Sequence, residues 1–198
     1  MAPPSDGGRW DSARAHPEVR VEEQGAVFQS SGHGFRTCLC QRELRENGSY
    51  AARVHVLGLS NFLAGVALPD VDVGNRGMDR VEFCGRKGWA FYNGERGGDG
   101  DEGQAFYHSD QPVRGDDGQI VRCDYARRGE TLCISLLYED VDAGAGELPG
   151  TLAFFRQGTA LEPVVFRRCI PRGVCFAVTA YHPWRSLCWC GVRCGVVP

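Results

Sequence analysis

What most limits the folds open to this chain is its punctuation. From Val19 onward, apolar runs of about five to eight residues each end in Gly, Pro, Asn or Asp, and no stretch keeps a helical period. The segment from Arg42 to Arg45 offers one helical turn at most. Short runs closed by turn residues specify strands joined by tight turns, and 27 glycines among 198 residues supply the turns. Strands separated by long helical stretches would have built a parallel sheet. Their absence predicts an all-β chain, an antiparallel β-sandwich of two sheets. No repeat of about 20 to 50 residues is visible, which argues against a propeller or solenoid.

The strand candidates are 34–41, 50–57, 62–68, 88–92, 119–125, 131–138, 151–156, 164–168 and 174–181. In the second, Tyr50, Ala52, Val54 and Val56 share one face, with Ala51, Arg53 and His55 on the other. The third is a continuous apolar run, as for a strand buried on both faces. Trp89 and Phe91 share a face, as do Leu152 and Phe154, and these aromatics are expected to anchor the two sheets. Gly150 and Gly158 bracket a hairpin strand and are expected to supply positive φ. Residues 1–18, rich in Pro, Gly and charge, read as a disordered leader. The sandwich then spans 19–185. Residues 186–198 hold three cysteines and Arg193 as their one charge, and read either as a last strand or as a divergent end.

Six pieces in sequence carry a family resemblance. Asn47-Gly48-Ser49-Tyr50 leads into Arg53-Val54-His55-Val56, and Phe62-Leu63-Ala64-Gly65-Val66-Ala67 follows. Next come Gly88-Trp89-Ala90-Phe91-Tyr92-Asn93-Gly94 and Gly129-Glu130-Thr131-Leu132-Cys133-Ile134-Ser135-Leu136. Gly150-Thr151-Leu152-Ala153-Phe154-Phe155-Arg156-Gln157-Gly158 is the best match, and Val165-Phe166 with Cys175-Phe176-Ala177-Val178 closes the series. In this order, over residues 48–181, the chain resembles the SPRY domain family. It departs from the family at Glu130, where the family has Asp. Tyr50-Ala51-Ala52-Arg53 stands where an aromatic-Trp-Glu is usual, and the loop over 85–128 is long and acidic. The resemblance implies a concanavalin-like sandwich with no catalytic role. It implies binding of a partner protein or short peptide through loops at one end, in several members as the substrate-reading or adaptor part of a ubiquitin-ligase or signalling assembly. No segment resembles a RING, a SOCS box or a coiled coil, so a ligase role would run through another protein.

The remaining chemistry is read from the residues. A net charge of −3, with acids lying between most arginines, gives no basic face for nucleic acid. No run of about 18 apolar residues exists to cross a membrane. The first residues lack the basic-then-apolar pattern of a secretory signal, so a cytoplasmic or other intracellular location is expected, with the ten cysteines mostly reduced. Cys38 with Cys40 and Cys188 with Cys190 form C-x-C pairs. A thiolate zinc site is the alternative to buried thiols, but structural zinc favours C-x₂₋₄-C, and no metal or other cofactor is expected. The five histidines are scattered and no nucleophile motif is present, so no catalytic residue is assigned. Gly98-Asp99-Gly100-Asp101-Glu102-Gly103 matches G-x-G-x-x-G, but its carboxylates would repel a phosphate, and it lacks the full calcium-loop pattern.

Exposed aromatics and arginines on loops are the usual interface anchors. The partner-binding candidates are Tyr92, Phe106, Tyr107, Arg114, Tyr138 and Trp184. Asp99, Asp101, Glu102, Asp110, Asp116 and Asp117 make the long loop acidic, and charge complementarity then favours a basic partner peptide. A monomer on its own is expected. A lectin-like sandwich, with Trp89, Tyr92 and Asn93 as its platform, and a purely structural domain of a larger assembly are the alternatives.

Overall fold

The structure, a computed structural model, describes residues 10–22, 25–28, 35–56, 61–73, 87–94, 105–108, 111–123, 126–127, 129–140, 146–156, 158–161, 165–181 and 190–196. Among these there is no helix. The strands are β1 (Trp10–Ala15), β2 (Val19–Glu22), β3 (Gly25–Phe28), β4 (Phe35–Cys40), β5 (Gly48–Val56), β6 (Asn61–Ala67), β7 (Gly88–Asn93) and β8 (Ala105–His108). They continue with β9 (Gln111–Pro112), β10 (Thr131–Tyr138), β11 (Gly150–Arg156), β12 (Thr159–Ala160), β13 (Phe166–Ile170), β14 (Cys175–Tyr181) and β15 (Cys190–Val196).

One sheet has seven strands in the order β1-β4-β14-β6-β7-β8-β9. The other has the order β12-β11-β10-β5-β15, with β13 also paired to β11. β2 and β3 form a separate two-stranded sheet, with β2 beside β1 and β3 beside β15. The pairings of both larger sheets are antiparallel, so the predicted sandwich is what forms.

The strands follow the pattern that named them. In β5, buried Tyr50, Ala52, Val54 and Val56 alternate with more open Ala51, Arg53 and His55. In β10, buried Leu132, Ile134, Leu136 and Tyr138 do the same. In β6, Phe62 to Ala67 are buried on both faces, as the continuous apolar run requires. Between the sheets, Phe91 and Phe106 from the seven-stranded side meet Phe154 and Phe166 from the other. Ring centroids lie 5.5 Å apart for Phe106–Phe154, 6.0 Å for Phe91–Phe154 and 6.4 Å for Phe154–Phe166. Tilted and edge-on pairs of this kind contribute about 0.5–1.5 kcal/mol each beyond their buried area. A second apolar layer lies on the outer face of the seven-stranded sheet. There Leu39, Leu63, Ala90, Tyr92, Tyr107 and Ala177 are covered in part by Val71, Val73 and Ile120 from connecting segments.

Four local expectations are corrected. Residues 10–15 lie within the expected disordered leader, yet they form β1. Trp10 is buried and pairs with Cys40, so one large aromatic seated on the edge of β4 outweighs a polar composition. Residues 119–123, the described part of the strand expected at 119–125, form no strand; Ile120 and Arg122 make single bridges to Arg114 and Ala105. The strand expected at 164–168 runs over Phe166–Ile170, where a register irregularity against β11 coincides with a positive φ of 46° at Arg168. Of the two hairpin glycines, Gly158 has φ 83°, but Gly150 has no positive φ. Gly150 is needed for space: a Cβ there would lie 2.7 Å from Ile170 and from the Tyr138 ring. The tail, left open between two readings, provides β15 antiparallel to β5.

The registers place the connections 41–47, 139–149 and 171–174 at one end of the sandwich, where Gly48, Tyr138, Gly150 and Ile170 lie side by side. Val56, Asn61, Asn93, Ala105, Tyr181 and Cys190 mark the opposite end.

Candidate partner-binding surface

At the first end, backbone and side chains lock the connections together. Leu44 N donates to Val174 O at 2.8 Å and Gly173 N donates to Leu44 O at 2.7 Å, tying 41–47 to the turn before β14. Beneath them lie two tyrosines packed edge to face, Tyr50 and Tyr138, with ring centroids 6.1 Å apart. The Tyr50 hydroxyl donates to Glu46 O at 3.0 Å and the Tyr138 hydroxyl to Pro171 O at 2.6 Å. Burial pushes the Tyr138 hydroxyl well above the usual tyrosine range, with Arg172 pulling the other way, so it stays a neutral donor.

Each ring carries an arginine. The Arg42 guanidinium sits 5.7 Å from the Tyr50 centroid and that of Arg172 sits 5.2 Å from the Tyr138 centroid. Arg172 also donates to Arg45 O and to Asn47 Oδ1, and Asn47 Nδ2 donates to Asp140 Oδ1 at 2.7 Å. Arg45, Asn47, Asp140, Glu147, Leu148 and Arg172 are all exposed. The result is a held, solvent-facing surface of mixed charge, with Arg42, Arg45, Arg168 and Arg172 set against Glu43, Glu46, Asp140 and Glu147. Its arginines are oriented before any partner arrives, which lowers the ordering cost of binding.

This surface supplies donors, acceptors and cation–π contacts. Among the described residues, no group of three His, Cys, Asp or Glu is placed to hold a metal ion. Cys38 and Cys40 are buried in the core on β4, while β15, which bears Cys190, belongs to the other sheet; Cys188 lies outside the described residues. Burial pushes the thiols of Cys133 and Cys175 up, and that of Cys169 up to about 11. They stay protonated at neutral pH and are poor nucleophiles.

The candidates read from sequence are not brought together. Tyr92 and Tyr107 sit on β7 and β8, buried at 4% and 6% exposure, in edge-on contact at 5.9 Å on the outer face of the seven-stranded sheet. Phe106 is fully buried between the sheets, and Tyr138 lies under Arg172. Their expected exposure on loops is corrected. Part of the presumed loop over 85–128 pairs as β7, β8 and β9, so its aromatics alternate as strand residues. Arg114 is exposed and donates to Gly118 O at 2.8 Å, with exposed Asp116 and Asp117 in the same turn and Asp117 Oδ1 accepting from Gln119 N. Asp99, Asp101, Glu102, Asp110 and Trp184 lie outside the described residues. Arg42, Asn47 and Arg172 were missed. The available signal was Pro171-Arg172-Gly173, a turn triplet that presents its middle side chain. The platform of the lectin alternative is closed as well. Trp89 stacks on His108 at 4.7 Å, and Asn93 is fully buried.

No protein-family model and no curated protein matches this sequence. Solved structures do. A human SPRY domain superposes with a TM-score of 0.58 at 12% identity, covering 90% of this chain and 95% of that one. The fold is SPRY-like. The TRIM65 PSpry domain is similar at TM-score 0.55 and 14% identity, covering 97% and 90%. The carbohydrate recognition domain of Emp47p follows at 0.54 and 11%, covering 94% and 86%. At these identities the likeness concerns the fold. Within the SPRY-like sandwich, the tyrosine-supported arginines belong to connections between strands, where binding residues are commonly carried on a rigid scaffold.

Proposed function

We propose that this chain is a non-catalytic protein-interaction module that takes a partner protein or short peptide on the first end of its SPRY-like sandwich. The observation that carries this reading is the pair Arg42 over Tyr50 and Arg172 over Tyr138, a half-exposed and an exposed cation pre-set on buried rings. Arginine and tyrosine are the side chains that most often dominate interface energetics. The module acts inside the cell as the reading part of a larger assembly, a ubiquitin-ligase adaptor being the form that the family resemblance favours. The acidic residues Asp99, Asp101, Glu102, Asp116 and Asp117 would add attraction for a basic partner. The Emp47p neighbour gives the carbohydrate reading a fold precedent, but Trp89, Tyr92 and Asn93 are buried and offer no sugar platform.

The test is affinity capture followed by calorimetry with the captured partner. Arg172→Ala should weaken that partner's binding by about tenfold or more, the range of a hot-spot truncation. Unchanged affinity in Arg172→Ala and in Arg42→Ala would remove the first end as the site.

A further inference from the structure

The outer face of the six-stranded sheet is chemically unlike the rest of the molecule. The chain is acidic overall, at −3, yet β5, β10, β11, β12, β13 and β15 contain five arginines and no Asp or Glu. Strand alternation turns Ser49, Ala51, Arg53 and His55 of β5 away from the core, together with Thr131, Cys133, Ser135 and Leu137 of β10 and Thr151, Ala153 and Phe155 of β11. These outward positions are open or half-open, and Leu137 is 39% exposed. Acids near the face sit at strand ends: Glu130 accepts from Arg127 N, Asp140 accepts from Asn47, Glu147 pairs with Arg168, and exposed Glu139 directly follows β10.

The charges mark two corners. Arg53 is exposed on β5 opposite Cys133. Arg167 is exposed on β13, beside Thr151 across the β11 pairing. Three strand spacings separate β5 from β13, roughly 14 Å across the sheet at about 4.8 Å each. The offset along the strands from Phe155 to Thr151 adds roughly 13 Å, so the corners lie roughly 19 Å apart on the face. About six residues of extended chain span that distance. Between the corners the floor is Ser135, Ala51 and Ala153, short side chains that admit a main chain closely, with Leu137 and Phe155 as apolar contacts.

We propose that this face is a second docking surface, separate from the first-end connections, and that its occupant is an extended acidic segment of a partner protein with carboxylates near both ends. Nucleic acid fits less well. Two exposed corner arginines neutralise few phosphates, and the described face has a single half-open aromatic, Phe155, where single strands need a row for stacking.

The probe is a fluorescein-labelled peptide with Glu at both ends and Leu and Ser between, followed by anisotropy on the full chain. A Lys-ended peptide and a single-stranded oligonucleotide serve as comparisons. The Glu-ended peptide should bind best and weaken as salt is raised. Arg53→Glu or Arg167→Glu should each weaken it by about fivefold or more. Arg122→Glu makes the same change in net charge at an exposed position by the other sheet and should leave affinity within about twofold. Ser135→Gln, which fills the floor without altering charge, should weaken binding too. Equal binding of the Glu-ended and Lys-ended peptides, equal loss in Arg122→Glu, or tighter binding of the oligonucleotide would each overturn the proposal.

Discussion

Asn93 is the best place to test whether the interior is wired as described. It ends β7 fully buried, and its amide makes two bonds to one backbone unit. Nδ2 donates to Ala126 O at 3.2 Å and Oδ1 accepts from Ala126 N at 2.8 Å. Ala126 is itself buried, on the chain leading into β10. Asn93→Ala therefore strands a buried N–H and a buried C=O at once. Each unpaired group costs about 1–3 kcal/mol, so the full loss is about 2–6 kcal/mol, and partial water entry puts the expectation near 3 kcal/mol. Asn93→Asp keeps an acceptor for Ala126 N but loses the donor and buries a carboxylate against Ala126 O. At neutral pH it should cost at least as much. Burial raises the folded-state pKa of that new acid, so its deficit should shrink as pH falls. Urea unfolding gives the global free energy, and hydrogen exchange at the Ala126 amide gives the local one. Asn93→Ala within about 0.5 kcal/mol of the parent, with Ala126 still protected, would mean that these two bonds do not hold the segment.

Other consequences follow from the same packing. Phe154 touches Phe91, Phe106 and Phe166, so Phe154→Ala should lower the unfolding free energy by about 3–5 kcal/mol in the same urea titration. Gly150→Ala should destabilise more than Gly158→Ala. The first forces a Cβ to 2.7 Å from Ile170 and Tyr138, at about 3 kcal/mol, whereas the second meets open space and bears only its positive φ, at about 1 kcal/mol. Burial raises the thiol of Cys169 from 9.0 to about 11 and also raises Cys133 and Cys175. Because the unfolded chain ionises first, stability is fully present below about pH 9 and falls as pH rises towards 11. Melting temperatures across that range should decline, and less steeply in Cys169→Ala.

The strands were legible because a period of two survives in single residues: Tyr50 to Val56 and Leu132 to Tyr138 announce their buried faces in the letters alone. Residues 10–15 were misread as leader because composition averages over Trp10, a buried residue paired with β4; residues 1–9 lie outside the described residues. The binding aromatics were misread for a related reason. Phe106 and Tyr107 lie in an acidic, glycine-rich stretch that reads as loop, yet residues 105–108 pair with β7 as β8, and the same pairing sets Tyr107 against Tyr92, the last residue of a predicted strand. Gly150 illustrates a further gap. A sequence shows that a glycine is present but not whether the backbone or a neighbour demands it. The first-end arginines were invisible because their meaning depends on which tyrosine lies beneath them, and Arg172 meets Tyr138 only through the pairing of β10, β11 and β13.

The proposed function seats a protein partner on the first end of the SPRY-like sandwich. Side-by-side affinity capture with the parent chain and the Arg42→Glu, Arg172→Glu double variant tests it most directly, with matched melting temperatures as the check on folding. At least one protein should be retained by the parent and lost by the variant, and should bind the parent directly when purified. An identical set of proteins on both, with equal affinities, would contradict it.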